Sequence, residues 1–194
     1  PAGLSSKLVA DGAPVRTRLF GANYVAFRST DGRVGFFAEA CPHRGASMAL
    51  ARNEDNALRC IYHGWKFSVE GVTVAVPTQP NNEAEYCKHV PLRHHPVQES
   101  SGIVWVYLGA GEPPPLPQLP FIGLPAENMV VFRQKVNANW LQAVETTMDS
   151  AHLGVLHQSW LKGFGDIENS SANMAPVYHV HNEPFGFRYA AVRA

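Results

Sequence analysis

Two short stretches hold the residues whose types and spacing point most directly to chemistry: Cys41-Pro42-His43-Arg44-Gly45 and Cys60-Ile61-Tyr62-His63-Gly64-Trp65. Each supplies one thiolate and one imidazole, as Cys-x-His, sixteen intervening residues (44–59), then Cys-x-x-His. Three arrangements use such a set. A structural zinc ion takes four ligands of this kind, but its common patterns group Cys with Cys and His with His. A Cys41–Cys60 disulfide would leave both histidines without a role. A [2Fe–2S] cluster held by two thiolates on one iron and two imidazoles on the other suits the pattern better, because each loop must then reach both irons. Gly45 and Gly64 would let the backbone pass close and aim amide N–H groups at the sulfurs. Pro42 stiffens one loop. Two neutral imidazoles lower the cluster's negative charge and raise its potential into a range of about −150 to +300 mV. Neither loop has a further cysteine to brace it with a disulfide, so the low end of that range is expected.

A second set lies in residues 139–157, which read Asn-Trp-Leu-Gln-Ala-Val-Glu-Thr-Thr-Met-Asp-Ser-Ala-His-Leu-Gly-Val-Leu-His. The pattern predicts a helix from Trp140 to about His157, capped by Asn137 or Asn139. Asp149 and His152 are three apart and share a helix face. His152 and His157 are five apart, about 140° around an ideal helix. They meet on one ion only if the helix loosens between them, for which Gly154 offers a place. Two imidazoles and a carboxylate with open positions make the facial triad of non-haem Fe(II). A zinc hydrolase site, or a plain helix with two unrelated histidines, uses the same residues. Cys87 reads as a buried or bland cysteine, and His89, His94 and His95 as surface or strand-edge histidines.

The elements that must position these residues change character along the chain. Runs rich in β-branched and aromatic residues predict strands at 15–20, 24–28, 34–38, 58–62, 66–69, 72–76 and 103–108, the last buried on both faces. Turn signals separate them, Glu70-Gly71 among them. Many short strands suggest a small sandwich or barrel. Five prolines between Glu112 and Pro120 exclude an interior helix or a central strand there and predict a stiff spacer. Beyond it, 129–136 reads as a strand, and 177–181 with 185–192 as a hairpin around Asn182-Glu183-Pro184.

Composition narrows the class. With 45% hydrophobic residues the chain can form a core. Sixteen basic residues balance sixteen acidic ones, which leaves no electrostatic footprint for nucleic acid or an anionic membrane. The longest apolar run, Ile103 to Leu108, falls far short of the about 20 residues that span a bilayer. No signal peptide is visible, and three cysteines fit a reducing, cytoplasmic setting better than a disulfide framework. The sequence begins at Pro1 and stops at Ala194 inside a strand-like run, so a processed or partial chain is expected.

Taken together, the Cys-Pro-His-Arg-Gly and Cys-x-x-His-Gly-Trp loops, Ala75-Val-Pro-Thr-Gln-Pro80, the proline-rich spacer and Asn-Trp-Leu-Gln-Ala-Val-Glu with Asp-x-x-His-x-x-x-x-His resemble the Rieske non-haem iron oxygenases. The resemblance is to the oxygenase (alpha) component of the phthalate 4,5-dioxygenase-like branch. It implies an α+β fold: an all-β Rieske [2Fe–2S] domain (1–111), the proline-rich linker (112–120), and the start of an α+β, helix-grip-like catalytic domain (121–194). It implies that Cys41, His43, Cys60 and His63 bind the cluster and that His152 and His157 bind a mononuclear Fe(II). Asp149 would link an iron-ligand histidine of one subunit to a cluster histidine of its neighbour in a head-to-tail homotrimer or a multiple of one. The third iron ligand, a carboxylate, would lie far downstream, since Asp166, Glu168 and Glu183 do not match its position. The implied partner is a flavin- and iron–sulfur-containing reductase drawing on NADH. The implied reaction is O2-dependent dihydroxylation, hydroxylation or O-demethylation of an aromatic, carboxylated in the manner of phthalate. A Rieske electron carrier without catalysis would account for residues 1 to about 110 but not for the linker or the helix.

Overall fold

The structure, a computed structural model of the chain, describes residues 1–163, 165–184 and 186–193. The chain divides into two compact units, Pro1–Gln134 and Lys135–Ala194. The fold is α+β, and no helix among the described residues is long and apolar enough to cross a membrane.

In the first unit, strands form where apolar and β-branched residues can face a core. They are β1 (Gly3–Leu4), β2 (Val15–Leu19), β3 (Ala22–Arg28), β4 (Val34–Ala38), β5 (Arg52–Glu54), β6 (Ala57–Arg59), β7 (Lys66–Ser68), β8 (Thr73–Ala75), β9 (Val97–Ser100) and β10 (Ile103–Val106). They build three antiparallel sheets, ordered β2-β3-β4, β5-β6-β7-β8 and β1-β10-β9. The β2-β3-β4 sheet contributes to two cores. Val25, Phe27 and Phe37 join Met48, Leu58, Phe67, Val76 and Leu92 in the first. Ala26 and Phe36 join Ala2, Leu8 and Val104 in the second. Successive strand residues alternate faces, so a strand with a core on each side reads as an unbroken apolar run. Each fully buried Phe or Leu contributes about 2–3 kcal/mol through the water it sheds.

Several expectations are corrected. The 103–108 run ends as a strand at Val106, and only Val104 of β10 is fully buried; the second core reaches one face of that strand. A helix, α1 (Glu83–His89), fills a stretch with no apolar periodicity. Acidic Glu83 and Glu85 open it, and Lys88 and His89 close it, in line with its dipole; His89 also pairs with Glu85 (2.7 Å). His95 is buried, 6% exposed, with its N–H on the Phe36 carbonyl (2.9 Å) and its ring edge-on to Tyr24 (5.3 Å). Residues 129–136 form no strand, because no described strand pairs with them.

The second unit holds α2 (Trp140–Met148), α3 (Leu153–Leu156), α4 (Asp166–Ser171) and the antiparallel hairpin β11 (Val177–Glu183) with β12 (Gly186–Val192). Asn139 caps α2 by accepting the Leu141 N–H (2.9 Å). The predicted helix to His157 is interrupted: Asp149 leaves the helical region at φ −81°, ψ 117°. Its carboxylate takes the Ala151 N–H (2.7 Å), a local bond that competes with the helix. The hairpin pairs Glu183 with Gly186; Phe185, assigned to it from the sequence, lies outside the described residues.

Arg28 at the end of β3 fastens the first unit's edges. It donates to the Leu8 and Gly32 carbonyls (2.8 Å each) and grips Glu99 of β9 through both Nη atoms (2.6 and 2.9 Å). That grip holds the Glu99 carboxyl below its ordinary value. A carboxyl depressed by folding stabilises fully above the unfolded value of about 4.3, and the contribution is lost as pH falls through the lower folded value. Glu99→Gln should therefore cost about 1 kcal/mol at pH 7. In urea unfolding at pH 7 and pH 3, the gap from the parent should shrink at the lower pH; a gap that stays constant would show that the charge is not what Arg28 holds.

Candidate functional site

The two Cys-His loops are matched in backbone form. The first follows β4, with Ala40 and Ser47 paired across its base. The Glu39 carboxylate accepts bonds there from the Ser47 hydroxyl and from Arg16. Inside it, the Cys41 N–H donates to Ala46 C=O (2.9 Å) and the Gly45 N–H returns to Cys41 C=O (2.8 Å). The second loop joins β6 to β7 over the Arg59–Lys66 pair. Its Cys60 N–H donates to Trp65 C=O (2.8 Å) and its Gly64 N–H returns to Cys60 C=O (3.0 Å). Each return needs a left-handed residue four positions after the cysteine, and Gly45 (φ +70°) and Gly64 (φ +74°) supply it.

This form sends thiols and imidazoles to different places. Cys41 and Cys60 are each 3% exposed and belong to the first core. The His43 and His63 rings lie half-buried, with centroids 4.5 Å apart. His43 stacks flat on Trp65 (4.6 Å, 4°), and Tyr62 lies against His63 (3.9 Å). Burial, with Cys60 alongside, pushes the Cys41 thiol up to about 11, while the His43 and Arg44 N–H groups directed at its sulfur act the other way. Burial, then the His63 and Arg44 charges, lower His43 and favour the neutral imidazole that a metal needs.

The donor set fits a [2Fe–2S] cluster. Cys41, Cys60 and Cys87 are free thiols, so the disulfide reading is set aside. Among the described residues, no group of three or more His, Cys, Asp or Glu side chains could hold one metal ion. A single zinc would draw four donors to one point; a cluster of this type asks for two thiolates on one iron and two imidazoles on the other. The buried Cys41 sulfur, which carries backbone N–H donors, matches the surroundings such clusters use.

The second set also comes together, though by a different route from the one expected. Asp149 ends α2 and contacts His152 Nδ1 through Oδ2 (3.2 Å). His152 and His157 flank α3 as its caps, and their ring centroids are 5.2 Å apart. The loosening lies at the helix ends and not at Gly154, which is buried within α3. The Asp149 carboxyl sits below its ordinary value, chiefly through the Ala151 N–H and then His152. The hairpin and the residue after it brace this turn: Tyr178 accepts the Ser150 N–H (3.3 Å), and Arg193 donates to the Ser150 hydroxyl (2.9 Å). Glu168 accepts the Gly163 N–H (2.8 Å) and Glu183 pairs with Arg188 (2.8 Å).

Residues 2–99 match the Rieske [2Fe–2S] domain. The chain belongs to that family. It is 40% identical over 196 residues to the 3-chlorobenzoate-3,4-dioxygenase oxygenase subunit of Comamonas testosteroni, an alignment covering 98% of this chain and 45% of that one. It is 40% identical over 195 residues to the phthalate 4,5-dioxygenase oxygenase subunit of Pseudomonas putida (94% and 44%). Among solved structures it resembles dicamba monooxygenase with non-heme iron and dicamba, at TM-score 0.53 and 27% identity, over 60% of this chain and 35% of that one. The chain thus spans less than half the length of these two curated relatives.

Sequence reasoning missed the side chains packed behind the second Cys-His loop, above all Pro77 and Tyr86; the Ala75–Pro80 stretch was the available signal. A Cβ on Gly64 would stand 2.9 Å from Pro77 Cγ, whereas one on Gly45 would meet nothing within 4 Å. Gly45→Ala should therefore cost only the left-handed penalty of about 1–2 kcal/mol. Gly64→Ala should cost clearly more, read as the difference between the two melting temperatures. Equal losses would show that Pro77 yields freely.

Proposed function

We propose that this chain works within the oxygenase component of an aromatic-ring Rieske oxygenase, with residues 1–111 as the Rieske domain, 112–120 as the linker and 121–194 as the start of the mononuclear iron domain. The observation that carries this reading is the presence of both ligand sets in one chain. A Rieske electron carrier would use the first set alone. Here the sequence goes on to bring Asp149, His152 and His157 together, and the 40% identity to an oxygenase subunit runs through that region.

When bound, the cluster supplies one-electron transfer and a mononuclear Fe(II) supplies O2 activation. The protein's part is placement. Cys41 and Cys60 would hold one iron as thiolates in a dry core, and His43 and His63 the other. His152 and His157 would supply two ligands of the mononuclear iron. The Asp149 carboxylate engages His152 Nδ1 and so leaves the other ring nitrogen for metal. Asp149 is also 47% exposed, open to a histidine of a neighbouring subunit in a homotrimer. A reductase drawing on NADH would supply the electrons. The substrate is an aromatic carboxylate, since the two relatives at 40% identity are named for 3-chlorobenzoate and phthalate. O-demethylation is the second reading, favoured by 36% identity over 151 residues to the 5,5'-dehydrodivanillate O-demethylase oxygenase subunit of a Sphingobium strain (75% of this chain, 35% of that one).

The test is EPR on anaerobic, dithionite-reduced protein before and after nitric oxide. A reduced Rieske signal together with a high-spin iron–nitrosyl signal supports the oxygenase reading. A Rieske signal alone removes the mononuclear iron and leaves an electron carrier. In the oxygenase, Asp149→Asn should keep both signals and lower NADH-driven turnover about 10- to 100-fold; full turnover in that variant would overturn the role given to Asp149.

A further inference from the structure

The stretch Ala75–Pro80 and helix α1 contain none of the proposed ligands, yet both close on the second Cys-His loop. The Val76 N–H donates to Glu83 Oε1 of α1 (2.6 Å). Pro77 packs where a Cβ on Gly64 would stand. Thr78 Oγ1 accepts the indole N–H of Trp65 (3.1 Å). Tyr86, also on α1, meets the Trp65 ring edge-on (5.8 Å, 75°). Trp65 is 3% exposed, belongs to the first core and stacks flat on His43 of the first loop.

We propose that Trp65, pinned by Thr78 and Tyr86, is a positioning residue that fixes the His43 imidazole plane and thereby ties the first loop to the second. This rests on the cluster assignment made above. The physical need is plain: no disulfide joins the loops, and the two rings that would share an iron come from different loops. One indole, hydrogen-bonded at its nitrogen and gripped at its edge, cannot turn about its own side-chain bonds without losing a partner. An imidazole lying flat against it keeps its tilt. A metal-ligating histidine depends on such outer contacts for its orientation. The indole belongs to loop two and the imidazole to loop one, so a single stacked pair does what a covalent brace would do elsewhere.

The experiment uses the full chain reconstituted with iron and sulfide, comparing the parent with Thr78→Val, Thr78→Ser and Trp65→Phe. The readouts are the g-anisotropy of the reduced cluster's EPR signal and the rate at which a chelator bleaches its visible absorbance. Thr78 is on the surface, so its variants keep the test open even if Trp65→Phe fails to fold. Thr78→Val should broaden the EPR lines and bleach about 10-fold faster. Thr78→Ser, which keeps the acceptor, should restore parental behaviour. Trp65→Phe should bleach at least as fast as Thr78→Val, and the double variant no faster than Trp65→Phe, because the bond from Thr78 is already lost there. Parental EPR and bleaching in Thr78→Val would overturn the positioning role and leave the cluster assignment intact. Failure of the parent itself to give a Rieske signal would overturn the assignment beneath it.

Discussion

Each Cys-His loop closes on its own cysteine backbone: the N–H reaches the residue five ahead, and the carbonyl receives the glycine four ahead. The rest of the first unit can be understood as serving that closure. A loop so tight needs a rigid antiparallel base, which β6–β7 gives to one and the Ala40–Ser47 pairing to the other. It spends its inward direction on the cysteine side chain, so a core must exist for that side chain to enter. Phe27, Phe37, Met48, Leu58 and Phe67 form it. The imidazoles, two and three residues later, are left at the rim. Burial of sulfur and accessibility of nitrogen are thus one geometric decision and not two.

Legibility in the sequence followed the length scale of the interaction. The Cys-x-His and Cys-x-x-His patterns were visible because loops this short must carry their ligands at fixed spacing. Strands β3 and β4 were visible because cores on two faces leave only apolar residues to use. Helix α1 was not: seven residues with no buried member leave no periodic trace, and its capping acids look like ordinary surface. His95 was misplaced for a related reason. Its burial comes from Phe36 and Tyr24, which stand far away in the chain.

The helix at 140–148 shows the opposite case. Periodicity carried the prediction through to His157, but Asp149 formed a bond to Ala151 within its own turn and stopped the helix. Asp-Ser was the local signal, outweighed by the apolar pattern around it. The interruption is what lets His152 and His157, awkwardly spaced on an ideal helix, sit at the two ends of a four-residue helix with their rings in contact. Tyr178 of β11 and Arg193, the residue after β12, then hold the turn at Ser150, a support no local reading could supply.

The rim position of His43 and His63 has a bearing on traffic. Cys41 and Cys60, which would hold one iron, are buried in a protein core, and His43 and His63, which would hold the other, stand at the rim. Any donor of charge and any acceptor of it would then use the same doorway, flanked by the exposed Ile61 and Tyr62. Two visitors of protein size cannot occupy one doorway together. Loading and unloading would have to alternate, or one visitor would have to stay in place and leave the other only a margin. The order of events would then be imposed by the shape of a loop, before any rate constant has its say.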